Sequence, residues 1–221
     1  MPLTPVEREM AAGRLATLAG DVRLALRVRP AGCDTCAETQ ALLQELATLS
    51  TRLSLEVADA GPEGGDCPAI DVLGLDHGGP VDYGVRLVGA PLEFELTSLL
   101  DAILTVGSGE SRLSAASLAR LATLDRPVHV QVFSTPTCRY CPTAVALAHR
   151  VALASPFVTA TAYSVIEFPD LIRRYRVTGV PKIVVGDGVE LLGAQPEEVF
   201  VDAVVAVGSA HVAPSAGKTG P

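Results

Sequence analysis

The stretch Val132-Phe133-Ser134-Thr135-Pro136-Thr137-Cys138-Arg139-Tyr140-Cys141-Pro142 carries an apolar, strand-like run through a Cys-x-x-Cys turn into a helix-like run. That context points to dithiol redox chemistry. A thiolate is both the nucleophile and the leaving group of disulfide exchange, so a second sulfur must stand close enough to resolve the mixed disulfide formed by the first. Upstream, Cys33-Asp34-Thr35-Cys36 sits between its own strand-like and helix-like runs, and the remaining cysteine, Cys67, precedes Pro68.

The two pairs belong to an internal repeat. Arg14-Leu15-Ala16-Thr17-Leu18 recurs as Arg120-Leu121-Ala122-Thr123-Leu124, nearly in register with the two cysteine pairs. In the first copy Thr4-Pro5-Val6-Glu7 has the form of a capping box and predicts a helix to about Gly20. A strand over 22–28, a helix from Cys33 to Leu49 with an apolar stripe, a strand over 53–57, a hairpin of 69–75 with 83–88 and a helix over 93–104 follow. The second copy predicts helix 114–124, strand 128–133, helix 138–154, strand 157–163, helix 167–176, hairpin 182–185 with 189–192, and helix 196–207. The organisation expected is an N-terminal domain over 1–106, a Gly/Ser-rich linker over 107–112, a C-terminal domain over 113–208 and a disordered tail over 209–221. Between the strand at 53–57 and the hairpin, the first copy has a Gly/Pro-rich segment where the second has a helix, so that helix is expected to be lost.

A formal charge of −8 leaves no basic footprint for nucleic acid, and every long apolar run is broken by a charged residue, which argues against a membrane span. The acidic, proline-containing start Met1-Pro2-Leu3-Thr4-Pro5-Val6-Glu7 is unlike a secretory signal, so a cytoplasmic protein is expected. In that reducing compartment, close cysteine pairs serve catalysis or metal binding more often than structural crosslinking.

Strand, Cys-x-x-Cys at a helix start, strand, helix, then X-Pro leading into a hairpin and a last helix resembles the thioredoxin fold, an α/β architecture with a mixed central sheet flanked by helices. Taken with Val177-Thr178-Gly179-Val180-Pro181-Lys182, the second copy resembles the C-terminal half of the protein disulfide oxidoreductases, which fuse two glutaredoxin-like domains. The first copy resembles their N-terminal half, notably in Tyr83-Gly84-Val85-Arg86-Leu87-Val88-Gly89-Ala90-Pro91 and Glu93-Phe94-Glu95-Leu96-Thr97-Ser98-Leu99-Leu100, and the likeness covers about residues 5–208. It implies a thiol–disulfide exchanger acting on protein or small thiol substrates, with no cofactor or metal of its own. A thioredoxin reductase-type flavoenzyme is its implied electron donor. A related two-domain arrangement, with one Cys pair lost, forms the N-terminal part of the alkyl hydroperoxide reductase flavoprotein.

Cys138 is the expected attacking sulfur, since the helix N-terminus and the neighbouring Arg139 both stabilise a thiolate, and Cys141 is the expected resolving thiol. Cys33 and Cys36 repeat the plan, but Asp34 replaces the cation with an anion. The first pair should therefore be the more reducing and the slower to exchange. Pro181, after Val180, resembles the cis-proline that faces the dithiol in this fold, and alignment of the copies puts Cys67-Pro68 at the matching place. Val180, Pro181, Cys67, Pro68, Arg139 and Tyr140 form the expected substrate-contacting set, while Cys67 is open to three readings: a buried small hydrophobe, a redox partner of Cys33 or a metal ligand. His77, His129, His149 and His211 show no ligand spacing and read as structural or solvent-facing, and Glu167 is open to two readings: a helix N-terminal acid, or, as the thioredoxin-fold resemblance implies, a carboxylate near the buried thiol able to move its proton. The competing readings are an electron-transfer dithiol component for a peroxidase, a chaperone-like binding module and a non-catalytic zinc scaffold, the last disfavoured by the whole domain separating the pairs.

Overall fold

Alternation along β1 (Val22–Val28) buries Val22, Leu24 and Leu26 on one side and turns Arg23 and Arg27 to the other, and this two-sided pattern organises the molecule. In the computed structural model, which describes residues 3–29, 31–61 and 65–209, the chain runs α1 (Pro5–Leu15), β1, α2 (Cys36–Ala47), β2 (Leu53–Asp59), β3 (Ala69–Asp76), β4 (Gly79–Val88) and α3 (Phe94–Ser108). The second half runs α4 (Ala115–Leu121), β5 (Val128–Ser134), α5 (Cys141–Ala154), β6 (Val158–Ser164), α6 (Pro169–Arg174), β7 (Lys182–Val185), β8 (Val189–Leu192) and α7 (Glu197–Gly208), with a 3-10 turn at Val165–Glu167. Each half has one parallel pair and two antiparallel pairs. They join into a single eight-stranded sheet of order β2-β1-β3-β4-β6-β5-β7-β8, because β4 pairs in parallel with β6 from Val85↔Ala160 to Val88↔Tyr163. The architecture is the expected α/β tandem of thioredoxin folds.

One apolar cluster spans both halves, gathering Leu24, Leu26 and Ile70 with Leu43, Leu99, Val130, Val145, Ile183 and Phe200 beneath α1–α5 and α7. A smaller cluster of Phe133, Val165 and Val184 lies on the opposite face, covered by Leu171, Ile172 and Tyr175 of the α6 region. No helix covers that face in the first half among the described residues, as expected from the Gly/Pro-rich segment after β2. Asp71 is held there by Arg27 at 3.0 Å and by Arg86.

The repeated pentapeptide has a physical reason. Arg14 pairs with Asp101 of α3 and Arg120 with Asp202 of α7, while Thr17 and Thr123 return their hydroxyls to the carbonyls of those arginines at 2.8 and 2.7 Å. Leu18 and Leu124 then pack against glycines in the last turns of α3 and α7. A Cβ on Gly107 would stand 2.4 Å from Leu18 Cδ1, and one on Gly208 would stand 2.5 Å from Val128 Cγ2 and 2.6 Å from Leu124 Cδ2.

The Thr4 capping box forms, though α1 ends at Leu15 rather than near Gly20. Helix α3 continues to Ser108, past its expected end and into the expected linker, because Ala102, Ile103 and Val106 stay buried. At the far end Ser209, assigned to the tail, caps α7 and donates its hydroxyl to Thr123 O at 3.1 Å; residues 210–221 lie outside the described residues. Among the described residues no helix is long and apolar enough to cross a membrane.

Candidate active sites

Both cysteine pairs are disulfides, each with a Cα–Cα distance of 5.5 Å. The helices start at the second cysteine of each pair rather than the first. Thr35 and Tyr140 are the N-cap residues, so Cys33 and Cys138 sit on the turn just ahead of the helix, fastened in the second site by Cys138 N–H to Thr135 O at 3.1 Å. The first-turn N–H groups still face that turn, so the helix dipole argument survives the shift. Exposure divides the sulfurs as exchange chemistry needs: Cys33 and Cys138 are partly exposed, and Cys36 and Cys141 are 4% and 1% exposed.

The Cys67–Pro68 and Val180–Pro181 bonds are both cis. Cys67 is a free, buried thiol, and Pro68 O accepts the Gly89 N–H at 2.9 Å. Val180 joins the small cluster on the α6 face, and Pro181 O accepts the Gly193 N–H at 2.8 Å. Tyr140 is 64% exposed beside Cys138, with the Arg139 guanidinium over its ring at 5.4 Å.

Two residues around the sites, Arg29 and Glu95, escape the sequence reading, and a third, Glu167, has contacts that reading does not give. Arg29 donates its backbone N–H to Cys36 Sγ at 3.4 Å, and its guanidinium donates to Gly61 O at 3.2 Å and Gly65 O at 2.7 Å, so it ties the first dithiol to both of these glycines after β2. Glu95, buried in α3 of the first half, accepts the Ser134 hydroxyl at 2.6 Å at the end of β5, four residues ahead of Cys138. Burial pushes its carboxyl up to about 7; Ser134 and Ser164 pull it down, and Glu167 and Glu93 add repulsion that raises it. A cavity of about 10 Å³ adjoins this carboxyl between Gly89, Ser98, Ser134 and Ser164. Glu167 belongs to the second half, yet it accepts the Thr35 hydroxyl of the first dithiol turn and the Ala90 N–H at 2.7 Å. It is not the plain helix N-terminal acid of the first reading, since α6 begins only at Pro169. Apart from Arg29 N–H to Cys36, these contacts join segments far apart in sequence, which local spacing cannot reveal.

The histidines keep to structural places. His129 bonds Thr161 Oγ1 at 3.0 Å, His77 is exposed in the β3–β4 turn, and His149 is buried in α5 with Nε2 3.3 Å from Arg86 O. Burial lowers the His149 pKa to about 4, against a smaller upward pull from the Arg86 carbonyl. His211 lies outside the described residues. No cluster of three or more His, Cys, Asp or Glu among the described residues is arranged to hold a metal, and the four paired sulfurs bond to each other.

A partly exposed cysteine and a buried partner at bonding distance, with a cis-proline in the same half, occur twice on one sheet and define a thioredoxin-like dithiol protein. A thioredoxin domain family model matches residues 128–206. The protein disulfide oxidoreductase of Aeropyrum pernix superposes with a TM-score of 0.82 at 26% identity, over 93% of this chain and 93% of that one. The thioredoxin of Methanocaldococcus jannaschii is 33% identical over 78 residues, 35% of this chain and 92% of that protein. The F component of the alkyl hydroperoxide reductase of Pseudomonas aeruginosa is 26% identical over 150 residues, 68% of this chain but only 27% of that component. The chain thus spans about a quarter of the length of that curated relative. The chain belongs to the thioredoxin-like family, as a fusion of two thioredoxin-fold units of the kind seen in protein disulfide oxidoreductases.

Proposed function

We propose that the protein is a thiol–disulfide oxidoreductase whose second dithiol meets external substrates first. The observation that carries the exchange chemistry is the division of each pair into a partly exposed and a buried cysteine held at bonding distance; Arg139 beside Cys138, against Asp34 beside Cys33, puts the second pair first. In the reducing direction the Cys138 thiolate attacks a substrate disulfide, forming a mixed disulfide and expelling one substrate thiolate. The Cys141 thiol then loses its proton and attacks Cys138 Sγ, closing Cys138–Cys141 and releasing the second substrate thiolate. Two electrons pass to the substrate, and its two sulfurs end protonated. Val180, Pro181 and Tyr140 line the way in, with Arg139 helping to stabilise the Cys138 thiolate. Cys67 and Pro68 take the corresponding place at the first site. Glu95, held near neutrality behind β5, is suited to hold or give a proton there.

Protein disulfides are the proposed substrates in the cytoplasm, over a division into units at 1–106 and 113–208, with a thioredoxin reductase-type flavoenzyme restoring the dithiol. The likeness to the F component of alkyl hydroperoxide reductases favours a second reading, in which the same dithiols pass electrons to a peroxidase. Insulin-disulfide reduction tests the first reading: wild type should reduce insulin and Cys138→Ser should not. Inertness of wild type towards insulin with rapid reduction of an oxidised peroxidase would favour the second.

A further inference from the structure

Thr35 caps α2, yet its hydroxyl makes no hydrogen bond to its own helix and is given to Glu167 of the other half. The second oxygen of Glu167 accepts the Ala90 N–H, one residue beyond Gly89, whose own N–H is bound to the carbonyl of Pro68. Gly89 admits this approach, since a Cβ there would lie 2.8 Å from Glu167 Oε1 and 2.6 Å from Ser164 Cβ. One carboxyl group from the second half is therefore wedged between the two segments that frame the first dithiol: its Cys-x-x-Cys turn and the strand exit beside its cis-proline. The arrangement is reciprocal, because Glu95 of the first half reaches the strand that leads to the second dithiol.

We propose that Glu167 is a positioning residue for the first dithiol, fixing the Thr35 turn and placing negative charge beside it. With Asp34 it disfavours a Cys33 thiolate and so keeps the Cys33–Cys36 couple more reducing than the first half would set by itself. The inference rests on the exchange chemistry proposed above. The equilibrium concerned is the Cys33–Cys36 disulfide plus two glutathione thiols giving two cysteine thiols plus glutathione disulfide, a transfer of two electrons and two protons.

The full chain is equilibrated in glutathione buffers, trapped by alkylation, and each pair is quantified by peptide mass. This readout needs no turnover, so a failure to reduce insulin would count against the function while leaving the positioning role to be judged here. Glu167→Gln should shift the Cys33–Cys36 equilibrium towards the dithiol by about tenfold, equivalent to ~30 mV for a two-electron couple. The shift at Cys138–Cys141 should be smaller. Thr35→Val breaks the same contact from the other side and should move the first couple in the same direction by less. In the double variant the two effects should combine to less than their sum. A first couple unmoved in both single variants, or a larger shift at Cys138–Cys141, overturns the proposal; should the Gln variant fail to fold, the Thr35→Val result decides.

Discussion

Around Cys138–Cys141 the sheet is covered on both faces, by α5 and α7 on one side and α6 on the other. Around Cys33–Cys36 no helix covers the second face among the described residues, and the Arg29 guanidinium holds the carbonyls of Gly61 and Gly65 after β2. The turn, the buried second sulfur and the cis-proline segment keep the same plan in both halves. Where the second dithiol has α6 beside it, the first has the Arg29 guanidinium and a carboxyl borrowed from the other half. The support also differs in sign: Arg139 lies beside the second pair, whereas Asp34 and Glu167 lie beside the first.

The largest effect expected from this contrast is on activity. Cys138→Ser should lower insulin reduction by on the order of 100-fold or more, while Cys33→Ser costs a few-fold at most. Equal rates of alkylation of reduced Cys33 and Cys138 at neutral pH would erase the distinction.

Next come the two buried ionisable groups at the α3–α5 packing, which oppose each other. Glu95 titrates near 4.5 unfolded and about 7 folded, so the folded state loses stability as pH rises across that window and no further above it. His149 titrates near 6.5 unfolded and about 4 folded, so its stabilising effect is complete above 6.5 and is lost as pH falls towards 4. Each slope is worth roughly 1.4 kcal/mol per pH unit, about 3 kcal/mol over its window. From these two groups wild type should show a flat stability profile between pH 4.5 and 6.5. Glu95→Gln should leave only the histidine slope, so that urea midpoints drop as the buffer is acidified. A Glu95→Gln profile parallel to wild type would remove Glu95 from the account.

A smaller effect should separate the two loops. Arg29→Ala removes both carbonyl contacts at 61 and 65 and should cost about 1–3 kcal/mol, with faster proteolysis confined to the first half. The smallest contrast lies at the paired glycines. Gly208→Ala meets a stiff β-branched Val128 and should cost about 1–3 kcal/mol, whereas at Gly107 the nearest atom is the movable tip of Leu18, so Gly107→Ala should cost less. Similar thermal midpoints for the two variants would contradict that ranking.

Much of this was legible in the sequence. Cysteine spacing located both dithiols, alternation gave the strands, and the Asp59–Asp66 composition agrees with there being no helix between β2 and β3 among the described residues. The pentapeptide repeat pointed to the duplication through the same Arg–Asp and Leu–Gly contacts that the structure reveals. What stayed hidden is everything that depends on how the copies meet. The β4–β6 ladder leaves no periodic mark, because a strand buried on one face reads the same whichever neighbour it has. Glu95 and Glu167 look like ordinary helix-start acids until the sheet brings them against Ser134 and Thr35. Helix α3 outruns its expected end because the burial of Val106 keeps it going through Gly107 and Ser108, whose composition is that of a loop.

The β4–β6 ladder has a mechanical consequence. With four backbone pairings and a shared apolar interior holding the halves together, the connecting segment 109–114 carries little of the load. A single peptide cut there should give two fragments that co-migrate under native conditions and part only in denaturant.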